Sequence, residues 1–256
     1  MKKFLSLCLT FLFSTIYVFA SDIKFVQIDN LKYNPMAEES VSNFTNTIDE
    51  INKLKDIDFV IFSGNNIAKS DEQYLEEFLK KANKLHSPYY VALGHKDLNK
   101  KKGLSKNAYM RIVRNKTHKN INNSSYVFNK KGVTFIVADG AKEFIATPFG
   151  YYRDSVINYV DRELRKHSKS NAVILQHFPI YPPDSSEKYR TYNVENYIKI
   201  LGDHTNLKAV ISGFGINSEN EINGIKHITT ADYPKYRIIE IIDCKNSNPT
   251  IWTTLK

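Results

Sequence analysis

The chain has 256 residues and a formal net charge of +9, or +7 without Lys2 and Lys3. Its length suits one large domain or two small ones. Cys8 and Cys244 are the only cysteines, which rules out a disulfide framework and a four-thiolate metal site, so stability must come from a hydrophobic core.

Met1–Ala20 pairs a short basic start with an apolar run and a small residue before Ser21-Asp22. That pattern predicts a secretory signal peptide (1–20) ahead of one domain (21–256), and a periplasmic or extracellular protein. An uncleaved anchor is the alternative, although the run is shorter than the ~20 residues of a span. No later segment could cross a membrane.

In chain order, Lys24–Ile28 reads as a strand. Val41, Phe44, Ile48, Ile51 and Leu54 give helical spacing over Glu38–Lys55. Phe59–Phe62 is a second strand, Asp71–Leu85 a helix and Pro88–Leu93 a third strand. This βαβαβ order predicts a parallel sheet. Lys96–Lys119 carries nine Lys/Arg against Asp97 alone, with a helix expected near Ala108–Asn115. It is either a solvated basic loop or an anion-facing surface. No nucleic-acid motif accompanies it, and nucleic acid is not an expected partner.

Ser125–Phe128 and Val133–Ala138 read as a hairpin. A helix over Tyr151–His167 leads to the strand Ala172–Gln176. There His177-Phe178-Pro179 turns the chain and leaves His177 at a strand end, where it is either a packed, hydrogen-bonded histidine or faces the crevice in which open α/β sheets keep their ligands. Asp184–Val194 reads as a loop and Glu195–Leu201 as a short helix. Ala209–Ser212, Gly224–Thr229, Tyr236–Ile242 and Thr250–Thr254 read as strands. Tyr181, Tyr189 and Tyr192 are read as exposed aromatics or a lid. His86, His118, His167, His204 and His227 are expected to face solvent or cap elements.

Five strand-end segments stand in order: QIDNLKY, FSGNNI, LGHKDL, QHFPIY and SGFGINS. They resemble the blocks of the calcineurin-like metallophosphoesterases, D-x-H, G-D, G-N-H-D/E, H and G-H-x-H, over nearly all of the chain from Lys24 to about Ile242. The resemblance implies a four-layer α/β/β/α sandwich with the site at the carboxyl ends of the strands. It also implies two metal ions that activate a water and neutralise phosphate oxygens. Here the ligand positions fall at Asn30, Lys32, Asn65, His95, Lys96, His177, Phe214 and Ile216, and His177 alone keeps the family residue. Asp97 matches a supporting carboxylate. A one-residue slip would bring Asp29 to the first aspartate and Leu31 to the histidine.

These substitutions oppose a metal pair. Asn65 offers a neutral carbonyl where a carboxylate would bridge the ions, and Phe214 and Ile216 offer no lone pairs. A lysine about 4 Å from a divalent ion is repelled by roughly 8 kcal/mol at an effective dielectric near 20. Deprotonating it at neutral pH costs about 5 kcal/mol. The expectation is therefore a protein without cofactor or phosphoesterase activity. It would act by binding an anionic small molecule or an envelope protein, with Lys32, Lys96 and His177 as anion-binding candidates. The cavity could instead be closed by ion pairs from Asp29 or Asp97, or be collapsed. The alternative function is a phosphoesterase using one zinc, iron or manganese ion on His95, His177 and Asp97, or no metal.

Overall fold

The computed structural model describes residues 22–144, 147–181 and 190–256. The expected signal segment and Tyr189 lie outside them. The elements follow in chain order: β1 (Ile23–Ile28), α1 (Glu38–Lys53), β2 (Phe59–Phe62), α2 (Glu72–Ala82), β3 (Tyr89–Val91), α3 (Lys106–Thr117), β4 (Tyr126–Lys130) and β5 (Val133–Ala138). Then come β6 (Gly150–Tyr151), α4 (Asp154–Lys166), β7 (Ala172–Gln176), β8 (Thr191–Tyr192), α5 (Val194–Gly202), β9 (Leu207–Gly215), β10 (Ser218–Ile222), β11 (Ile225–Ala231), β12 (Tyr236–Ile242) and β13 (Thr250–Leu255).

Two sheets result. The first has the order β13-β12-β1-β2-β3, and the second β10-β11-β9-β7-β5-β4. The β1-β2-β3 core is parallel, as the βαβαβ order requires, and β12 adds antiparallel to β1. Strand alternation decides what lies on each face. Phe25 and Phe59 point inward to Phe135 of the second sheet, with ring centroids 5.6 and 4.9 Å apart. Phe62, offset by odd register, points outward to Phe44 of α1 and Phe78 of α2 at 5.9 and 5.0 Å. Helices α4 and α5 bury Ile157, Val160, Leu164, Tyr197 and Leu201. The architecture is the expected α/β/β/α sandwich.

Local chemistry sets the boundaries. Asp71 caps α2 by accepting from Gln73 N–H, and Ser105 caps α3 by accepting from Ala108 N–H. The β4–β5 hairpin turns on Lys131-Gly132, both at positive φ, as a two-residue turn of matching twist needs. The basic segment is more ordered than expected. Helix α3 extends the expected Ala108–Asn115 at both ends, Lys106 pairs with Asp139, and Lys116 with Glu76 at 2.8 Å. Strand β10, SENEI, is an addition to the expected elements. It is a polar edge strand with no alternation to betray it.

Candidate functional site

The carboxyl ends of β1, β2, β7 and β9 converge on one crevice. The crevice encloses about 180 Å³ and is lined by Asn30, Lys32, Asn65, His95, Lys96, Pro148, Phe214 and Asp232. Beneath it lies a buried layer. Asp29, wholly buried, accepts from Ser63 Oγ–H at 3.0 Å and from Phe214 N–H at 2.6 Å. His177 Nδ1 sits 2.8 Å from the Ser63 carbonyl and 3.2 Å from Asp29 Oδ1. A carbonyl only accepts, so Nδ1 carries the proton and donates. His177 Nε2 is buried, with no hydrogen-bond partner among the described residues. Burial pushes the Asp29 carboxyl up, against the lowering pull of His177, Phe214 N–H and Ser63.

Of the two readings of His177, the structure shows the packed, hydrogen-bonded one, and the anion-binding role expected of it is corrected. It has no exposure, and its ring packs against Phe178 (4.7 Å), Phe214 (5.1 Å) and His95 (6.0 Å). Phe214, itself only 5% exposed, lines the crevice, and His177 does not. His177 therefore cannot touch an anion held there. Ile216, 46% exposed, lies on the outer surface and not in the crevice lining.

Asp97 is also placed differently from a metal ligand. Its Oδ1 accepts from Asn66 N–H (2.7 Å) and Ile67 N–H (3.1 Å), and its Oδ2 from Gly94 N–H (2.8 Å). It ties the β2 and β3 loops together, and burial raises its pKa to about 6 against those donors. Neither Asp29 nor Asp97 partners Lys32. The partner is Asp232, at 3.5 Å, from the β11–β12 loop. Sequence reasoning missed Asp232, which lies 200 positions from Lys32 with no motif around it.

A chain of amides crosses the crevice floor. Lys96 N–H donates to Asn65 Oδ1 at 2.9 Å, Asn65 Nδ2 donates to Asn30 Oδ1 at 2.6 Å, and Asn30 Nδ2 donates to Asp232 Oδ1 at 2.5 Å. Each amide passes the direction on, because it accepts at one end and donates at the other. Asn30, Lys32, Gly64, Asn65 and Phe214 all hold positive φ. Asn tolerates that region, whereas Lys and Phe do so at a cost, a concentration of strain that marks built sites.

His95 is half-buried on the rim, and its pKa is pulled down to about 3 by burial and then by His177, Lys96 and Lys32. Folded His95 refuses a proton that the unfolded chain accepts below about pH 6.5. Its contribution to stability is thus present above pH 6.5 and is lost as pH falls toward 3. The urea midpoint of the native protein should drop further between pH 7 and pH 5 than that of His95→Phe. Parallel pH profiles for the two would show that His95 is not held neutral by its surroundings.

The other histidines divide. His118 caps α3 at positive φ, and His204 pairs with Asp161 at 2.9 Å. His227 was expected at the surface but is buried under Tyr181, with centroids 4.7 Å apart and a pKa lowered by burial to about 4. Tyr181 therefore has a packing role, while Tyr192 is exposed with Arg190 and Lys142 over its ring.

Two facing sheets with helices outside, and loops converging at the strand ends around remnant histidine and amide positions, define a phosphoesterase-type sandwich. The calcineurin-like phosphoesterase family model matches residues 17–213, and the chain belongs to that family. No curated protein matches the sequence. Among solved structures, a dimetal phosphatase from Danio rerio is similar at TM-score 0.66 and 12% identity, covering 90% of this chain and 98% of that one. GAP50, the anchor in the inner membrane complex of Plasmodium, is similar at TM-score 0.60 and 14% identity over 91% and 84%. TT1561 of Thermus thermophilus gives TM-score 0.60 and 13% identity over 91% and 99%. At these identities the likeness is one of fold. Among the described residues, no three of His, Cys, Asp and Glu come together as a metal-ligand set.

Proposed function

We propose that this protein is a member of the family that has given up the metal pair and phosphoester hydrolysis and works by binding. The observation that carries this reading is the amide chain Asn65–Asn30–Asp232. A divalent pair needs anionic lone pairs facing inward. Here Asn65 presents an N–H to Asn30, its oxygen is held by Lys96 N–H, and Lys32 and Lys96 bring cations to the same crevice. The donor set fits hydrogen bonding, not ions. A single metal on His95, His177 and Asp97 fares no better, since Asp97 is engaged by backbone donors and His177 is wholly buried, with its ring packed against Phe214.

Closure by an ion pair describes the crevice better than a free anion site, because Asp232 both neutralises Lys32 and ends the amide chain. Lys96, exposed at the rim, is the cation left to meet an anionic group on a small molecule or an extracytoplasmic partner protein. The basic, exported-type sequence suits that setting. The fold also serves as an anchor in the Plasmodium protein, which supports a non-catalytic role by analogy only.

The test is metal analysis of protein purified without chelator, alongside turnover of an aryl phosphate with manganese present. We expect substoichiometric metal and no turnover. A tightly held equimolar divalent ion, or turnover abolished by His95→Ala, would overturn the reading.

Asn65→Asp extends the test, since it restores the bridging carboxylate alone. It should create no activity and should destabilise by about 1–3 kcal/mol. An aspartate accepts from Lys96 N–H but faces the Asn30 carbonyl oxygen. Flipping Asn30 only moves the acceptor–acceptor contact to Asp232. A urea midpoint equal to that of the native protein would mean that the amide chain is not what organises the floor.

A further inference from the structure

We infer that the opposite end of the sandwich carries a second anion-binding site, for a phosphate-bearing ligand, independent of the family crevice. It is a recess of about 260 Å³ at the amino ends of β7 and β9, roofed by the loop after β12. Lys169, Lys208 and Lys245 line it together with the hydroxyl residues Ser170, Thr205 and Ser247, and no carboxylate is among the lining residues. None of the three lysines forms an ion pair among the described residues. Lys208 Nζ donates to the Thr205 carbonyl at 2.8 Å, which holds its head at the recess. Three lysines lining one recess raise its local potential, and a dianion relieves it with hydroxyl residues beside the charges.

The recess is built by interior hydrogen bonds. Asn171 Nδ2 donates to the Cys244 and Asn246 carbonyls at 2.9 and 2.5 Å, and so fixes the Lys245 loop to the start of β7. Asn206 Nδ2 donates to the carbonyls of Leu164, His167 and Ser170, at 3.2, 3.2 and 3.3 Å, and so fixes the Lys169 turn to the start of β9. Two asparagines thus lock three chain segments into one shape, each segment carrying one lysine. Such preorganisation lowers the ordering cost of a ligand. In the parallel sheet the crevice stands at the carboxyl ends and the recess at the amino ends of β7 and β9, so the two sites can be mutated separately.

The experiment titrates the full chain with inorganic phosphate by calorimetry at low and physiological salt. In parallel, the protein is floated with phosphatidylcholine vesicles containing or lacking phosphatidic acid. Lys169→Gln/Lys208→Gln/Lys245→Gln should weaken binding at least about tenfold. Lys101→Gln/Lys102→Gln/Lys199→Gln, equal in net charge, should bind as the native protein does. The exposed single change Lys245→Glu gives the same direction of effect should the triple variant fold poorly. Response to free phosphate alone assigns a soluble ligand, and response to phosphatidic acid vesicles alone assigns a lipid headgroup. No binding in either arm, or equal losses in the charge-matched variant, would overturn the site.

Discussion

Gly213→Ala should cost at least about 3 kcal/mol and is expected to leave little folded protein. A Cβ at this position would fall inside the van der Waals radius of Asp29 Oδ1, with the carboxyl carbon and Oδ2 close behind. Asp29 cannot step aside. It is wholly buried, and it is held by Ser63, His177 and the backbone N–H of Phe214. Moving it would strip a buried carboxyl of its donors and leave the donors unmatched. The control is Gly202→Ala near the end of α5, where an added Cβ meets nothing within 4 Å. That change should be neutral or mildly stabilising, by up to about 1 kcal/mol, because alanine restricts the unfolded chain. Urea denaturation of both proteins decides the matter. A Gly213→Ala midpoint close to that of Gly202→Ala would mean that Asp29 is not fixed where its hydrogen bonds place it.

Asp29→Ala should destabilise by about 3–5 kcal/mol, the range for removing one partner from a buried polar pair. The Phe214 N–H loses its acceptor in a dry setting. Ser63 Oγ–H retains only the longer contact to the Ile28 carbonyl, at 3.3 Å, and His177 keeps only the Ser63 carbonyl. Asp29→Asn should cost less, about 1–3 kcal/mol. The amide oxygen still accepts from Phe214 N–H, but one end of the amide now presents a donor toward His177 Nδ1–H. The ordering Ala worse than Asn in urea midpoint is the expected result. Equal effects would indicate that packing, and not the acceptor role of Asp29, holds the strand ends together.

Much of the fold could be read from the chain. The strand-helix alternation from Lys24 to Leu93 required a parallel β1-β2-β3, and the five strand-end segments pointed to the family that the comparisons bear out. The site was legible by position but not by contact. Asn30, Lys32, Asn65, His95, Lys96 and Phe214 do meet at one crevice. Asp29, set aside in the sequence as a slip of register, proved to be the buried partner of His177, because alternation turns it under the floor while Asn30 faces the crevice. Asp232 gave no local signal at all.

The amino-acid sequence by itself determined the order of strands and helices, the family, and the replacement of charged ligands by amides, lysines and apolar side chains. These follow from periodicity and residue chemistry, which are local. Only the tertiary structure decided that Phe214 covers His177, that Asp97 faces backbone donors, and that Lys32 is answered by Asp232. Those outcomes depend on which distant groups arrive within about 3 Å of each other and which of them water can still reach, and no spacing along the chain encodes that.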